Sequence, residues 1–269
     1  MPANPANVER RPLAIKVSNA PAIVRPQAGL DKADVVVEHI AEARLTRFTA
    51  IFHCQDAERV GAVRSARLID LELPAMFQSL FAFSGASGPV KLLLQESDFA
   101  ERIISPDIGF NDPGFERIYS AGKALEHTLF TDTATLWQIA DERGVNEPPA
   151  VEPWAFDERR PAGGTPATEM DLVYIAGYAS AEYEYDADQE AYMRYVLGEP
   201  HTEELSGEQL SAANVVVLYA YHTDTLIVES TAGGQLYYSV EIQVWGQGPA
   251  KIFRDGRVYD ATWQRPQRE

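Results

Sequence analysis

The chain has 269 residues, of which 45% are hydrophobic and 10% aromatic, so it can bury one large core or two ordinary ones. Its net charge of −17 is unevenly placed: residues 1–150 carry 15 Lys and Arg against 20 Asp and Glu, and residues 151–269 carry 8 against 20. Because both halves are acidic, we expect no non-specific nucleic-acid binding, which needs a positive field across a domain. The single cysteine, Cys54, excludes an intrachain disulfide and a cysteine-based metal site.

The N-terminal residues 1–11 are predicted to be a disordered leader or tether. The start, MPANPANVERRP, contains prolines and small residues and lacks the apolar stretch of a secretory signal. No run in the chain approaches the ~18 consecutive apolar residues of a membrane-spanning helix. If the native protein is exported, its signal has been removed and Met1 stands in its place.

Residues 12–150 alternate strand-like and helical stretches, which predicts a layered α/β domain. Strands are predicted over LAIKVS (13–18), RFTAIFHC (47–54), RVGAV (59–63) and LFAFSG (80–85), and helical spacing extends over ARLIDLELPAMFQSL (66–80), GPVKLLLQ (88–95) and TLWQIADERG (135–144). The run ADVVVEHI (33–40) is typical of a strand but could equally open a helix. The turn QDAE indicates that the strands at 47–54 and 59–63 form a hairpin.

Local signals define the ends of the predicted helices. Pro74 is expected to interrupt the stretch 66–80, because proline removes a backbone donor. The helix at 135–144 has three candidate N-caps and ends at Gly144. The candidates are Thr131, Asp132 and Thr133.

Residues 151–168 are rich in Pro, Gly and charge, so we interpret them as a linker, with a short strand considered at 154–156. From 169 to 269 nearly every stretch has strand-like alternation, which predicts a mainly antiparallel β domain. Two hairpins are predicted there, one turning at 186–189 and one at Asp255-Gly256, a dipeptide that favours a type I′ turn. The overall fold class is therefore α+β.

Several strings in the chain resemble those of the YerB-like lipoprotein family. In the first half these are RPQAGLDKADVVVE (25–38), LTRFTAIF (45–52) and VGAVRSAR (60–67). In the second half they are YEYD (183–186), YMRY (192–195), GEPH (198–201), SAANVVVLY (211–219), FRDGR (253–257) and TWQR (262–265). Together these strings cover nearly the whole chain, and they follow the family's order.

The chain departs from the family pattern at two positions of chemical interest. Phe83 stands where the strand before the Gly-Ser loop of the family usually carries a histidine. In EHTLF (126–130) His127 is kept, but Thr128 replaces the asparagine of the family's Pro-His-Asn-Leu-Tyr. A catalytic role implied by the first histidine is therefore not expected in this chain.

Arg44, Arg47, Arg64 and Arg67 are the candidate binding residues for an anionic ligand. Arginine presents a planar set of donors that matches phosphate or carboxylate, and a helix start beside it adds backbone N–H groups. Four arginines within 24 residues are a local exception in an acidic chain. The alternative is that they form ion pairs with nearby acids. Those acids are Glu38, Glu42, Asp70 and Glu72.

Ser84, Ser87 and His127, together with Glu38 and Asp70, are possible polar partners of the arginines. The turn Ser84–Gly88 follows a strand and precedes a helix, as phosphate-binding turns do, but it lacks the lysine and glycine spacing of a P-loop. An ordinary strand–helix turn is the alternative. His127 could be a general base or a structural residue. The five histidines show no metal-ligand spacing, so no metal and no cofactor are expected.

The family resemblance implies an extracytoplasmic protein that is lipid-anchored at the cell membrane through a removed N-terminal segment. It implies as partner an unknown cell-wall polymer, wall precursor or envelope protein. We expect binding of such a partner, or of an anionic ligand, through an arginine-lined cleft of the first domain. The alternative is an enzyme, a phosphotransferase or hydrolase acting on a phosphorylated or anionic glycan precursor. The pattern of the first half loosely resembles LytR-CpsA-Psr phosphotransferases but lacks their Arg-Ser-Asp opening.

Overall fold

The structure is a computed structural model that describes residues 5–107, 112–150, 157–232 and 234–268. Its strands, in chain order, are β1 (Leu13–Ser18), β2 (Val35–Ile40), β3 (Thr46–Phe52), β4 (Val60–Gly61), β5 (Leu80–Ala82), β6 (Ile103–Ile104), β7 (Phe115–Arg117), β8 (Leu129–Thr131), β9 (Thr165–Pro166), β10 (Glu169–Ile175), β11 (Ala179–Asp186), β12 (Ala191–Val196), β13 (Glu199–Pro200), β14 (Ser211–Ala212), β15 (Asn214–Leu218), β16 (Tyr221–Ala232), β17 (Gln235–Gln243), β18 (Gly246–Arg254) and β19 (Arg257–Arg265). The α-helices are α1 (Leu73–Met76), α2 (Gly88–Gln95) and α3 (Thr133–Glu142). Short 3-10 helices lie at Pro5–Glu9, Ala22–Val24, Leu30–Lys32, Glu42–Arg44, Leu68–Leu71, Ala100–Arg102 and Leu125–His127. Within these described ranges, no helix is long and apolar enough to cross a bilayer.

The chain divides into two compact units. The first unit falls within Met1–Val151, Glu203–Ser206 and Asp224–Glu241, and the second unit comprises the remainder. The domain predicted as 169–269 is therefore not one continuous body, because two of its segments pack with the first unit. The linker predicted over 151–168 also needs correction, since β9 lies within it and pairs with β19. The strand considered at 154–156 falls outside the described residues.

The first unit is built on a mixed sheet with strand order β2-β3-β1-β5-β6. Strand β1 lies at its centre, antiparallel to β3 and parallel to β5, and every residue of LAIKVS is buried. A strand buried on both faces is expected to be a continuous apolar run, as this one is apart from Lys16 and Ser18. The run 33–40, which sequence left undecided, is the edge strand β2.

The hairpin predicted between 47–54 and 59–63 is wrong. Strand β3 is buried throughout, with β1 on one edge and β2 on the other, so no edge is open for β4. Strand β4 instead pairs with β8, and β8 pairs with β7. The leader predicted for 1–11 is also corrected from residue 5 onwards, because a 3-10 helix forms there and the Arg10 guanidinium lies 3.1 Å from the Trp137 ring.

The helix predictions for the first unit hold in part. The stretch 66–80 forms only a 3-10 turn followed by the four-residue α1, with Pro74 in its first turn. Helix α3 is capped by Asp132, whose side chain accepts a hydrogen bond from the N–H of Thr135 at 2.7 Å. Gly144 follows α3 with a φ of +67°, the left-handed backbone that ends many helices.

The second unit consists of antiparallel sheets. One sheet has the order β10-β11-β12-β13 and the other β15-β18-β19-β9. Tyr192 and Phe253 meet edge to face in the core, with ring centroids 6.3 Å apart. The predicted turn at 255–256 is confirmed, because Arg254 pairs with Arg257 and both intervening residues have positive φ, as a type I′ turn requires.

Lys16 is a charged residue at the centre of the first unit's sheet, and its side chain is fully buried. Its ammonium group donates to the Asp70 carboxylate at 2.7 Å and to the Thr49 hydroxyl at 3.1 Å, and it lies 2.6 Å from Nε2 of His39. Nδ1 of His39 lies 3.1 Å from the Ile40 carbonyl, so we assign the ring proton to Nδ1 and an acceptor role to Nε2. All three ammonium protons are therefore satisfied.

Replacement of Lys16 by Met is expected to lower the free energy of unfolding by ~3–5 kcal/mol, because it leaves the Asp70 carboxylate buried without its cation. Lys251→Met is the matched control, since Lys251 makes an ion pair of the same 2.7 Å length with Asp260, but at the surface. The control substitution should lower the free energy of unfolding by no more than ~1 kcal/mol. Urea denaturation measures both. Equal losses would show that burial of the Lys16 pair has no special role.

Candidate functional site

Arg47 and Arg67 meet at one carboxylate, that of Glu42. Arg47 lies in β3, and its guanidinium donates to Glu42 Oε1 at 2.9 Å. Arg67 follows β4 and donates through Nε to Glu42 Oε2 at 2.6 Å and through Nη2 to Oε1. Arg47 and Arg67 are each 7% exposed, and Glu42 is 9% exposed. For these two arginines the structure has the ion-pair arrangement that sequence left open.

The two arginines change the acidity of Glu42. Burial alone would raise the pKa of Glu42, but the hydrogen bond from Arg67 and the positive charges of both arginines lower it to about 2. Burial lowers the pKa of Arg47 to about 9, and the neighbouring charge of Arg67 adds to that shift. The charge of Arg67 thus makes Arg47 harder to keep charged, and the charge of Glu42 opposes this effect.

A second carboxylate approaches Arg67 from much later in the chain. Glu229 of β16 belongs to the first unit, and its Oε2 lies 3.6 Å from Nε of Arg67. Its Oε1 accepts a hydrogen bond from the Ser239 hydroxyl of β17 at 2.5 Å. Sequence reasoning missed Glu229, because nothing in its local sequence marks a residue that contacts position 67.

Arg64 differs from Arg47 and Arg67. It is only partly buried, and its Nη1 lies 3.4 Å from the backbone carbonyl of Glu126. Among the residues that the structure describes, it has no carboxylate within the 4 Å of an ion pair. Arg44 is exposed on a turn with φ of +59° and has no hydrogen bond or ion pair within the described part of the chain. The four predicted arginines therefore do not line one common cleft.

His127 lies close to Arg64, at the end of the 3-10 helix Leu125–His127. Its side chain is buried, and its Nδ1 has no hydrogen-bond partner within the described residues. Burial lowers the pKa of His127, and the charge of Arg64 lowers it further. The imidazole is therefore neutral at neutral pH and has one polar nitrogen to offer a ligand.

The turn from Ser84 to Ser87 lies beside the Arg64 backbone. The N–H of Ser84 donates to the Arg64 carbonyl at 3.0 Å, and the N–H of Ala66 donates to the Gly85 carbonyl at 2.9 Å. Ser87 immediately precedes α2, and its hydroxyl is buried without a partner in the described parts of the chain. The segments around 84–87 and 126–127 thus each contact the segment 64–66.

Two other predicted partners belong elsewhere. Asp70 is fully buried and accepts from Lys16 and from the N–H of Arg67, so it supports the arginine segment from beneath. Glu38 accepts a hydrogen bond from Asn19 at 3.0 Å.

The positions that depart from the family pattern have structural contacts. Phe83 is fully buried and stacks on Phe81, with ring centroids 4.8 Å apart. Thr128 donates its hydroxyl proton to the Leu125 carbonyl at 2.8 Å, which closes the 3-10 turn that carries His127. Of the two positions, only 127 carries a histidine in this chain.

Both halves of the chain match one family. Residues 1–146 match the N-terminal domain, and residues 170–269 the C-terminal domain, of the family described as protein of unknown function (DUF3048). A Bacillus subtilis (strain 168) protein named "Putative lipoprotein YerB" is 30% identical over 259 residues, which cover 96% of this chain and 74% of that protein. The crystal structure of YerB protein from Bacillus subtilis is similar with a TM-score of 0.78 at 28% identity, over 97% of this chain and 84% of that one.

The low pKa of Glu42 predicts how stability changes in acid. A carboxylate whose pKa is about 2 in the folded state against an ordinary 4.5 stabilises the fold fully above pH 4.5 and loses that effect as pH falls towards 2. The contribution is about 3 kcal/mol. Glu42→Gln should therefore be less stable than the unmodified protein at pH 6, and the difference should shrink steadily between pH 4.5 and pH 2. Urea denaturation across this pH range tests it, and a constant difference would contradict it.

Proposed function

The chain belongs to the DUF3048 family, and from that premise we propose that it is a membrane-anchored, extracytoplasmic envelope protein that binds an anionic ligand in its first unit. The location is supported by the name of the Bacillus subtilis relative, a lipoprotein, whose sequence aligns with nearly all of this chain. The ligand is an anionic group of a cell-wall polymer, a wall precursor or another envelope protein.

One observation carries the binding proposal: Arg64 is a partly exposed cation without a carboxylate partner among the described residues, in a chain of net charge −17. Such a chain has many carboxylates, and both Arg47 and Arg67 form an ion pair with one of them, Glu42. The charge of Glu126 offsets part of the burial of Arg64 without an ion-pair contact, and an anion bound in direct contact offsets more of it. The guanidinium also presents several donors in one plane, which suits an oxyanion.

Two neighbouring groups support the same site. Nδ1 of His127 and the hydroxyl of Ser87 are buried polar atoms without partners within the described ranges, on the two segments that flank Arg64. Buried polar groups in native proteins almost always have a hydrogen-bond partner, so unpaired groups need an explanation. A ligand with several acceptor oxygens provides one.

A second candidate function rests on His127. A buried, neutral imidazole beside an arginine is suited to accept a proton from a nucleophile while the arginine holds an oxyanion. This arrangement favours, as the alternative, an enzyme that acts on a phosphorylated or anionic glycan precursor. His127→Gln distinguishes the two: an enzyme loses turnover with its substrate affinity largely kept, whereas a binding protein has no turnover to lose.

Arg64→Ala is expected to weaken the binding of inorganic pyrophosphate at least about tenfold, because a hydrogen bond to a charged group contributes ~1.5–3 kcal/mol. Arg44→Ala is the matched control, since it removes the same charge from an exposed position nearby. Isothermal titration calorimetry at fixed ionic strength measures both affinities, and thermal melting checks that both variants fold. Equal affinities for the two variants would reject the site.

A further inference from the structure

The hairpin of β16 and β17 carries Glu229 into the arginine cluster. Its residues 224–241 belong to the first unit. On the inner face of β16, Ile227 packs against the core cluster that contains Phe81 and Phe83, and Glu229 follows two residues later on the same face. The hairpin is thus attached to the first unit by an apolar contact and a carboxylate.

The carboxylate of Glu229 is poorly satisfied where it lies. Its side chain is 1% exposed, and its Oε2 has no hydrogen bond within the described residues, being 3.6 Å from the nearest guanidinium nitrogen. Glu42, by contrast, accepts hydrogen bonds on both oxygens from Arg47 and Arg67. Burial of a charged oxygen without a donor is costly. Glu229 is therefore held less firmly in the cluster than Glu42.

The outer face of the hairpin is exposed. Leu226 is 94% exposed and Val228 is 39% exposed. Within the described residues, β16 and β17 pair only with each other, so no further strand holds either edge. An element fixed along one face by few contacts can open at a low free-energy cost compared with the core of the sheet.

We infer that Glu229 is an internal counter-ion of the anion site, which the hairpin holds beside Arg67 and which an external anionic ligand displaces. The inference rests on the proposed function, since it concerns the regulation of the same site. The hairpin is then a strap: with Glu229 in place part of the positive charge of the cluster is offset from within, and with ligand bound the strap is released.

The charges of the cluster give the reason for competition. Arg64, Arg67 and Arg47 lie close enough that the charge of Arg67 lowers the pKa of both its neighbours. The charge of Glu42 acts on both neighbours of Arg67, and Glu229 adds a negative charge 3.6 Å from Arg67 itself. A ligand anion at Arg64 brings negative charge to the same group of cations. It therefore weakens the attraction between Glu229 and the cluster, and the Glu229 carboxylate in turn repels the ligand. Coupling of this kind is reciprocal, so weakening the strap must strengthen ligand binding.

The test measures pyrophosphate affinity in Glu229→Gln, with Asp224→Asn as the matched control. Asp224 lies on the same hairpin and is exposed, so its replacement makes the same change in net charge without touching the cluster. Glu229→Gln is expected to bind pyrophosphate about five- to tenfold more tightly than the unmodified chain, and Asp224→Asn should bind as the unmodified chain does. In the Glu229→Gln background, Arg64→Ala should abolish the gain.

Two results separate this inference from the proposed function. If Arg64→Ala weakens binding but Glu229→Gln leaves it unchanged, or if Asp224→Asn strengthens it equally, the strap is wrong and the anion site stands. If Arg64→Ala binds like Arg44→Ala, the site fails and the strap fails with it.

A second measurement needs no variant, in case Glu229→Gln fails to fold. Amide hydrogen exchange over residues 224–241 of the unmodified chain is compared with and without saturating pyrophosphate. Release of the strap predicts faster exchange in the bound state. Unchanged or slower exchange would overturn the inference.

Discussion

The buried ion pair between Lys16 and Asp70 is the interaction on which the geometry of the first unit depends. Lys16 lies in the central strand, so its ammonium group must find all its partners inside the sheet, and it finds them on β2, on β3 and in the segment after β4. Asp70 in turn accepts the N–H of Arg67 at 2.6 Å. The pair thus fixes the position of Arg67, and Arg67 fixes Glu42. Because breaking a buried pair costs ~3–5 kcal/mol, packings of these segments that separate Lys16 from Asp70 are strongly disfavoured.

The parts of the fold that the sequence predicts are those decided by neighbours along the chain. The run LAIKVS is a fully buried strand, Asp132 caps α3, and the Asp255-Gly256 dipeptide forms the tight turn. In each case the deciding residues lie within a few positions of one another. The failed hairpin at 47–63 shows the limit. Both strands are real, but β3 takes its partners from β1 and β2, and no local signal specifies which strand fills an edge.

The candidate site shows the same division between local and long-range information. The arginine-rich region and its flanking segments follow from the sequence: the backbone of Ser84 contacts that of Arg64, and the charge of Arg64 acts on His127. The sequence does not predict that the four arginines lie in different environments. Arg47 is buried because β3 has both edges and both faces covered, whereas Arg44 lies outside the strands, at an exposed position of the connection between β2 and β3. Glu229 was unpredictable for a physical reason: its contact with Arg67 depends on the hairpin packing onto a core built from the other half of the chain.

The acidity of the chain shapes what such a site can bind. At net charge −17 the long-range field opposes the approach of any anion, so attraction must come from donors at contact distance. Salt screens the long-range repulsion more than the contacts inside a half-buried site, which makes recognition depend on fit more than on charge alone. On our proposal that the protein is anchored and binds an envelope polymer, the two meet at a high effective concentration, and modest affinity then suffices. The internal carboxylate that we infer, Glu229, would add to this selection, because a weakly fitting anion would not replace it.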